Sequence, residues 1–152
     1  MSAQTNRALI KRFYDEGWNA NNLAVYEELV TDNFVDHQTL PGLPAGREGF
    51  KMLNVMFRSA FPDVWVTVDQ IVADDDKVAC RWTSTGTHKG DLFGIPPTGN
   101  EVKVTATVWY RIEDGLIREH WGIPDLLGLL IQIGIIPPPD AESARGSVEA
   151  QA

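Results

Sequence analysis

The segment GLIREHWGIPDLLGLLIQIG, at residues 115–134, predicts a strand that turns directly into a short helix. Its first half has strand character, Ile123-Pro124 predicts a turn, and the apolar run that follows Asp125 predicts the helix. His120 and Trp121 lie just before the turn, so a histidine, a tryptophan and a carboxylate occur within six positions. Backbone geometry at a strand-to-helix junction can direct such side chains inward, and this is where we look for chemistry.

Length and charge limit the classes of function. A chain of 152 residues with 43% hydrophobic content fits one globular domain with a single sizeable core. The 21 acidic residues outnumber the 13 basic ones, and no cluster of lysine and arginine occurs. Neither nucleic acid nor an anionic membrane is therefore an expected partner.

Cofactor and metal motifs are missing from the sequence. Cys80 is the single cysteine, which excludes an internal disulfide and a Cys/His zinc cluster, and three scattered histidines do not define a metal site. The glycine-rich stretch at 42–46 lacks the lysine of a phosphate-binding loop. The N-terminus has no signal-peptide core and no apolar run is long enough to span a membrane. We expect a cytoplasmic protein without cofactor or metal.

Hydrophobic periodicity divides the chain into an early helical part and a later strand part. Helices are predicted at residues 5–17, at 23–30 and from 47 to the residue before Pro62, with an extended segment at 33–38 and a Pro/Gly loop at 40–46. Strands are predicted at 64–72, 77–88, 101–112 and 116–123. Residues 137–152 follow three prolines without any apolar period, and disorder is predicted for them.

This order predicts an α+β fold, because helices separated in sequence from an antiparallel meander pack on one side of its sheet. Strands of ten or more residues usually curl. A cone-shaped, curved antiparallel sheet with helices packed over its concave face would enclose a pocket. We assign residues 1–136 to this domain and 137–152 to a tail.

Four motifs resemble those of the SnoaL-like polyketide cyclases, also called ester cyclases, which have the nuclear-transport-factor-2-like (NTF2-like) cone fold. The resemblance extends over roughly residues 7–134. The motifs are FVDH at 34–37, FPD at 61–63, GTHKGDLFGIPPTG at 86–99 and YRIEDGLIREHW at 110–121.

The resemblance implies a function and a set of site residues. The implied reaction is a cofactor-independent intramolecular aldol condensation that closes the last ring of an aromatic polyketide ester, with Asp125 as acid/base. It also implies that His37 is a polar pocket residue, that Trp109 and Arg111 occupy pocket positions on the third strand, and that the protein is a homodimer that binds a small hydrophobic, carbonyl-bearing substrate.

Asp125 has two interpretations that the sequence leaves open. Aldol closure needs one group to take a proton from a carbon flanked by carbonyls and to protonate the resulting alkoxide, and one carboxylate can do both. The leucines after Asp125 favour a raised pKa, whereas a helix N-terminus lowers it. An aspartate at the start of an apolar helix is also an ordinary N-cap.

The other predicted site residues depend on which way the strands face. Successive strand residues point to opposite faces, so only one of His120 and Trp121 can face the cavity, and a slip of one residue exchanges them. His37 lies at a predicted rim and either orients a carbonyl or is structural, while Arg111 is a candidate oxyanion partner. Aromatic candidates for the substrate-binding wall are Trp18, Phe57, Phe61 and Trp109.

Two other functions remain open at this point. One is acid/base chemistry of another type on the same fold, such as isomerisation, dehydration or epoxide opening. The other is non-catalytic binding of small hydrophobic ligands.

Overall fold

The computed structural model describes residues 2–151 and contains five α-helices, one π-helix and five strands within that range. The α-helices are α1 (Ala3–Arg12), α2 (Val25–Leu29), α3 (Gly46–Ala60), α4 (Leu126–Gln132) and α5 (Ala141–Glu149), and the π-helix (Phe13–Asn19) directly follows α1. The strands are β1 (Val30–Asp36), β2 (Trp65–Ala73), β3 (Lys77–Thr87), β4 (Glu101–Glu113) and β5 (Leu116–Pro124).

The five strands form one sheet in the order β1-β5-β4-β3-β2. The α+β prediction is confirmed, and the four predicted strands form the expected antiparallel meander. The sheet is nevertheless mixed, because β1 adds to its edge parallel to β5. Partners in this pairing share a face, and Asp36 at the end of β1 lies opposite His120 of β5.

A β-bulge in β5 decides which side chains face the helices. The turn itself has two residues, Asp114 and Gly115, both with positive φ, as a type I′ hairpin requires. Beyond it, Ile112 pairs with Ile117 but Arg111 pairs with Glu119, so Arg118 is the extra residue. The bulge places Ile117, buried, on the same face as His120, which is three positions later.

The helices cover the inner face of the sheet. Ser2 and Thr5 form a capping box at the start of α1, which then widens into the π-helix over Phe13–Asn19. Single π-turns often occur at functional sites, and this one carries Tyr14 and Trp18. The main core holds side chains of α1, the π-helix, α2, α3 and the inner positions of β3–β5, and a smaller core lies beneath α4 and the end of α3.

The C-terminal segment differs from the prediction. Disorder is predicted for 137–152, whereas the structure has helix α5 at Ala141–Glu149, capped by Asp140 through the Ser143 N–H. None of its residues is buried. The side-chain interactions seen at this helix are local ones, from Asp140 to Ser143 and from the Ser147 hydroxyl to the Ser143 carbonyl oxygen.

No helix between residues 2 and 151 is long and apolar enough to cross a lipid bilayer.

Candidate active site

A cavity of about 240 Å³ lies between the helices and the inner face of the sheet. Its walls are largely apolar, and most of its polar side chains come from the π-helix, from β4 and from the adjoining ends of β1 and β5. Such a chamber, apolar with few convergent polar groups, is the usual form of a small-molecule site. Lining residues include Trp18, Leu40, Phe50, Leu53, Phe57, Phe61, Trp82, Val104, Val108 and Leu129.

His120 and Asp36 form a hydrogen-bonded pair in the wall of this cavity. Nδ1 of His120 lies 3.0 Å from Oδ1 of Asp36, and the two side chains are 11% and 5% exposed. The imidazole packs against the rings of Phe50 and Tyr110, at centroid distances of 4.9 and 5.1 Å. These contacts and the hydrogen bond to Asp36 restrict the orientation of the ring.

The carboxyl group of Asp36 is held in its ionised form. Burial alone would raise the pKa of Asp36, but the hydrogen bond and charge of His120 and the N–H of Gln38, 3.0 Å from Oδ1, together lower it. When the His120 ring is neutral, an ionised Asp36 that accepts from Nδ1–H leaves Nε2 without a hydrogen. Aspartate thus sets the tautomer that a general base needs.

The other imidazole nitrogen faces open space at Gly122. Among the described residues, Nε2 of His120 has no hydrogen-bond partner, and it is not sealed from solvent. A Cβ placed on Gly122 would lie 2.8 Å from Nε2 and 2.7 Å from Cε1. Glycine at this position therefore keeps the reactive nitrogen uncovered. Gln38 fixes the same point of β5, because its Oε1 accepts from the Gly122 N–H at 2.8 Å.

Two tyrosines contribute buried hydroxyl groups to the cavity wall. The hydroxyl oxygens of Tyr14 and Tyr110 are 2.6 Å apart, and both residues are almost completely buried. Burial raises the pKa of each phenol well above its ordinary value, so both stay protonated. The Cys80 thiol lies beside Tyr14, and burial raises its pKa to about 12. A thiol that stays protonated in this way is a poor nucleophile.

The structure brings four of the predicted site residues to the cavity. Trp18, Phe57 and Phe61 line it, as the aromatic pattern predicts. His120 also lines it, which answers the question of register that the sequence left open. The bulge at Arg118, and not the length of the hairpin turn, turns His120 inward and Trp121 outward.

Asp125 does not line the cavity in this structure. It is exposed, it lies beside a shallow groove on the other side of the sheet, and its Oδ1 accepts from the Gly128 N–H at 2.9 Å. Its backbone N–H donates to Thr105 on β4, which anchors the start of α4. Of the two interpretations, the geometry is that of the N-cap.

Three other predicted pocket residues belong to the outer face of the sheet. Trp109 pairs with Trp121 across β4 and β5 and is 51% exposed, while Arg111 forms ion pairs with Glu119 and Glu113. Strand alternation explains the error, because Val108 and Tyr110, one position away from Trp109, are the inward residues.

His37 is also on the outside. Its ring stacks on Trp121 at 4.4 Å, and Nε2 lies 3.3 Å from Glu119. The pocket residue is its neighbour Asp36, since inward Phe34 sets the alternation of β1. The third histidine, His88, is fully buried against Phe61 and Thr98.

Four polar residues of the cavity wall were not predicted from the sequence: Asp36, Gln38, Tyr14 and Tyr110. The FVDH motif contains the signal for Asp36, because alternation from the apolar Phe34 points to it and away from His37. Nothing local identifies the tyrosines as a pair, since they are 96 positions apart. Within residues 2–151 no group of three potential metal ligands comes together.

Comparisons with known proteins agree with this architecture. The family model of the SnoaL-like polyketide cyclases matches residues 8–133. The nogalonic acid methyl ester cyclase of Streptomyces nogalater is 30% identical over 122 residues, which are 78% of this chain and 90% of that protein.

Two solved structures share the fold. AclR from Streptomyces galilaeus, a candidate hydroxylase, has a TM-score of 0.84 at 27% identity, covering 99% of this chain and 94% of its own. IdmH from Streptomyces antibioticus, a candidate polyketide cyclase, has a TM-score of 0.73 at 34% identity, covering 84% and 96%. A family model that matches most of the chain, with structures of the same NTF2-like fold, shows that the protein belongs to the SnoaL-like polyketide cyclase family.

Proposed function

We propose that this protein is a cofactor-independent cyclase that closes a ring in a carbonyl-rich, polyketide-like ester by intramolecular aldol condensation, and that His120 is its acid/base. The observation that carries the proposal is the His120–Asp36 pair in the wall of an apolar cavity. This assignment replaces the expectation that Asp125 is the base. Asp125 is exposed, and its carboxylate caps helix α4 by accepting from the Gly128 N–H.

The proposed reaction begins with proton removal. Nε2 of His120 takes a proton from a carbon flanked by carbonyl groups, and the electron pair of the C–H bond forms an enolate. Asp36 stays ionised and stabilises the imidazolium that results, as a buried aspartate does in a catalytic triad. The low polarity of the walls strengthens this ion pair relative to water.

Ring closure then returns the proton. The enolate carbon attacks a second carbonyl carbon of the same substrate, which forms the new C–C bond and places negative charge on the attacked oxygen. The imidazolium Nε2–H protonates this alkoxide and regenerates neutral His120. Substrate and product have the same mass, and no external acid, base or oxidant is consumed.

The substrate class follows from the cavity and from the relative. Trp18, Phe57 and Phe61 give flat aromatic contact surfaces, which suit a planar ring system. The S. nogalater relative is a cyclase of nogalonic acid methyl ester. Aromatic polyketide esters of that class are therefore the substrates that we propose to test first.

The direct test is incubation of the purified protein with nogalonic acid methyl ester, with product analysis by mass spectrometry and NMR. We expect a product of unchanged mass with one additional ring, formed by wild type and lost in His120→Gln. A product that has lost water would indicate a dehydratase instead. Saturable binding without any product would indicate a ligand-binding protein.

Hydroxylation is the second candidate, supported by the fold similarity to AclR. It would use molecular oxygen and two electrons, supplied by an external reductant or by the substrate itself, so that one oxygen atom enters the substrate and the other leaves as water. The same assay, run with and without oxygen, separates the two functions because aldol closure is indifferent to oxygen.

A homodimer joined through the outer face of the sheet is also proposed. Trp109, Trp121 and Ile123 form an exposed apolar surface there, and Ile123 is 73% exposed. Apolar surfaces of this kind commonly mark interfaces. Sedimentation should give a dimer for wild type and a monomer for Trp109→Glu, whereas a monomeric wild type would contradict the proposal.

A further inference from the structure

The tyrosine pair in the cavity wall has one hydrogen more than its internal contacts use. The hydroxyl oxygens of Tyr14 and Tyr110 are 2.6 Å apart, and either of them can be the donor. Two protonated hydroxyls carry two hydrogens, and their mutual contact uses one of them. The hydroxyl that accepts in this contact keeps the other hydrogen.

A ligand in the cavity can reach the hydroxyl that keeps its hydrogen, because Tyr14 and Tyr110 both line the cavity. When Tyr14 donates to Tyr110, the hydroxyl hydrogen of Tyr110 is the one that remains. A hydroxyl that accepts one hydrogen bond becomes a better donor of the next.

Tyr110, the proposed donor, lies next to His120, the proposed base. Its ring packs against His120 at 5.1 Å, and the two residues are directly paired between β4 and β5. The enolate that His120 would create thus forms beside a phenol that keeps its proton. Proton removal shifts negative charge from carbon to the carbonyl oxygen, and a fixed donor in a dry site stabilises that charge more than water does.

We propose that Tyr110 is the oxyanion-binding donor of this cavity and that Tyr14 is the positioning residue that orients and polarises it. This inference rests on the proposed function for its catalytic meaning. The hydrogen bond goes from the Tyr110 hydroxyl to the carbonyl oxygen of the ligand, and it is retained, without proton transfer, when that oxygen becomes the enolate oxygen.

Binding of two shape-matched probes tests the donor without any turnover. The first is 2-acetylnaphthalene, which has a carbonyl oxygen, and the second is 2-isopropenylnaphthalene, which has a methylene group in its place. Wild type should bind the ketone about three- to tenfold more tightly than the alkene, the range for one net hydrogen bond. Tyr110→Phe should abolish this preference and leave alkene affinity within twofold.

Two further variants separate the roles. Tyr14→Phe should reduce the ketone preference partially, because Tyr110 loses its orienting neighbour but keeps its hydrogen. Tyr26→Phe is the matched control, since Tyr26 is fully buried but does not line the cavity. The infrared carbonyl stretch of bound ketone should be lower in wild type and Tyr26→Phe than in Tyr110→Phe.

The outcomes are decisive in both directions. An equal ketone preference in wild type and Tyr110→Phe overturns the assignment, as does a wild type that shows no preference or binds neither probe. If the preference depends on Tyr110 but no ester is cyclised, the oxyanion donor stands and the cyclase proposal fails. If the ester is cyclised but the ketone preference does not depend on Tyr110, the cyclase proposal stands and the oxyanion-donor assignment fails.

Discussion

Asp36 ends β1 and Asp125 directly follows β5, the neighbouring parallel strand, but their surroundings give the two aspartates different chemistry. The side chain of Asp36 is enclosed at the end of β1 and is paired with His120 in an apolar cavity. Asp125 is exposed at the end of β5 and holds the first turn of α4. The comparison shows that an apolar sequence around a carboxylate does not by itself place that carboxylate in an apolar site.

The difference arises from which backbone groups are nearby. At Asp125 the free N–H groups of α4 are within reach, and a carboxylate there satisfies one of them. At Asp36 no helix begins, and the partners are one Gln38 N–H and an imidazole. Four predictions test this contrast, and they are ordered by the size of the expected effect.

Removal of the imidazole should have the largest effect. His120→Gln keeps a polar side chain of similar reach but no ring nitrogen that can take and return a proton, so we expect kcat for ring closure to fall by about 10²- to 10⁴-fold. Circular dichroism and thermal unfolding would verify that the variant is folded. A variant that is folded and retains more than a tenth of wild-type turnover would contradict the role of His120.

Two glycine substitutions compare the two aspartate sites sterically. In Gly122→Ala the new Cβ would meet the His120 ring at 2.7 Å, and that ring packs against Phe50 and Tyr110. We expect a loss of about 1–3 kcal/mol in stability, as for other overpacked sites, together with a large fall in turnover.

In Gly128→Ala the new Cβ would meet the Asp125 carboxylate at 2.1 Å, and this exposed side chain can rotate away. Loss of the cap costs about 1 kcal/mol, and the gain in helix propensity from glycine to alanine offsets most of it. Denaturation should show little net change, and turnover should match wild type. Equal loss of turnover in the two alanine variants would remove the contrast between the sites.

Asp125→Ala isolates the capping role. We expect a decrease of about 1 kcal/mol in the free energy of unfolding, measured by urea denaturation, with turnover unchanged within threefold. Asp125→Asn should restore stability, because asparagine caps helices about as well as aspartate. If Asp125→Ala loses turnover far beyond its loss of stability, the carboxylate takes part in the reaction.

The smallest effect concerns acid stability. Because the folded-state pKa of Asp36 is lowered, its contribution to stability is present above the unfolded pKa of about 3.9 and is lost as pH falls through the folded value. The unfolding free energy of wild type should therefore decrease more steeply than that of Asp36→Asn below about pH 4. Parallel curves would show that Asp36 is not stabilised as a carboxylate.

Much of the fold could be predicted from local sequence, and the site could not. The hydrophobic periodicity typical of helices and strands predicts the bounds of α1, α3 and the four-strand meander to within a few residues. The parallel pairing of β1 with β5 joins segments about 80 positions apart, and no local pattern encodes it. That pairing is what brings Asp36 to His120.

A single inserted residue accounts for the remaining errors on the last strand. The bulge at Arg118 puts Ile117, His120 and Gly122 on the inner face, although simple alternation would group Ile117 with Glu119 and Trp121. Bulges depend on twist and packing across strands, which the sequence of one strand does not contain. The aromatic residues of α3 and the π-helix were predictable because they need only helical periodicity.

The most direct test of the central claim is a side-by-side measurement of kcat for Asp36→Asn and Asp125→Asn with nogalonic acid methyl ester. Both substitutions remove one charge and keep the size of the side chain. The His120–Asp36 assignment predicts a fall of about a hundredfold or more for Asp36→Asn, since asparagine no longer fixes the basic tautomer, and a change within threefold for Asp125→Asn. The opposite ranking would contradict it and return the acid/base role to Asp125.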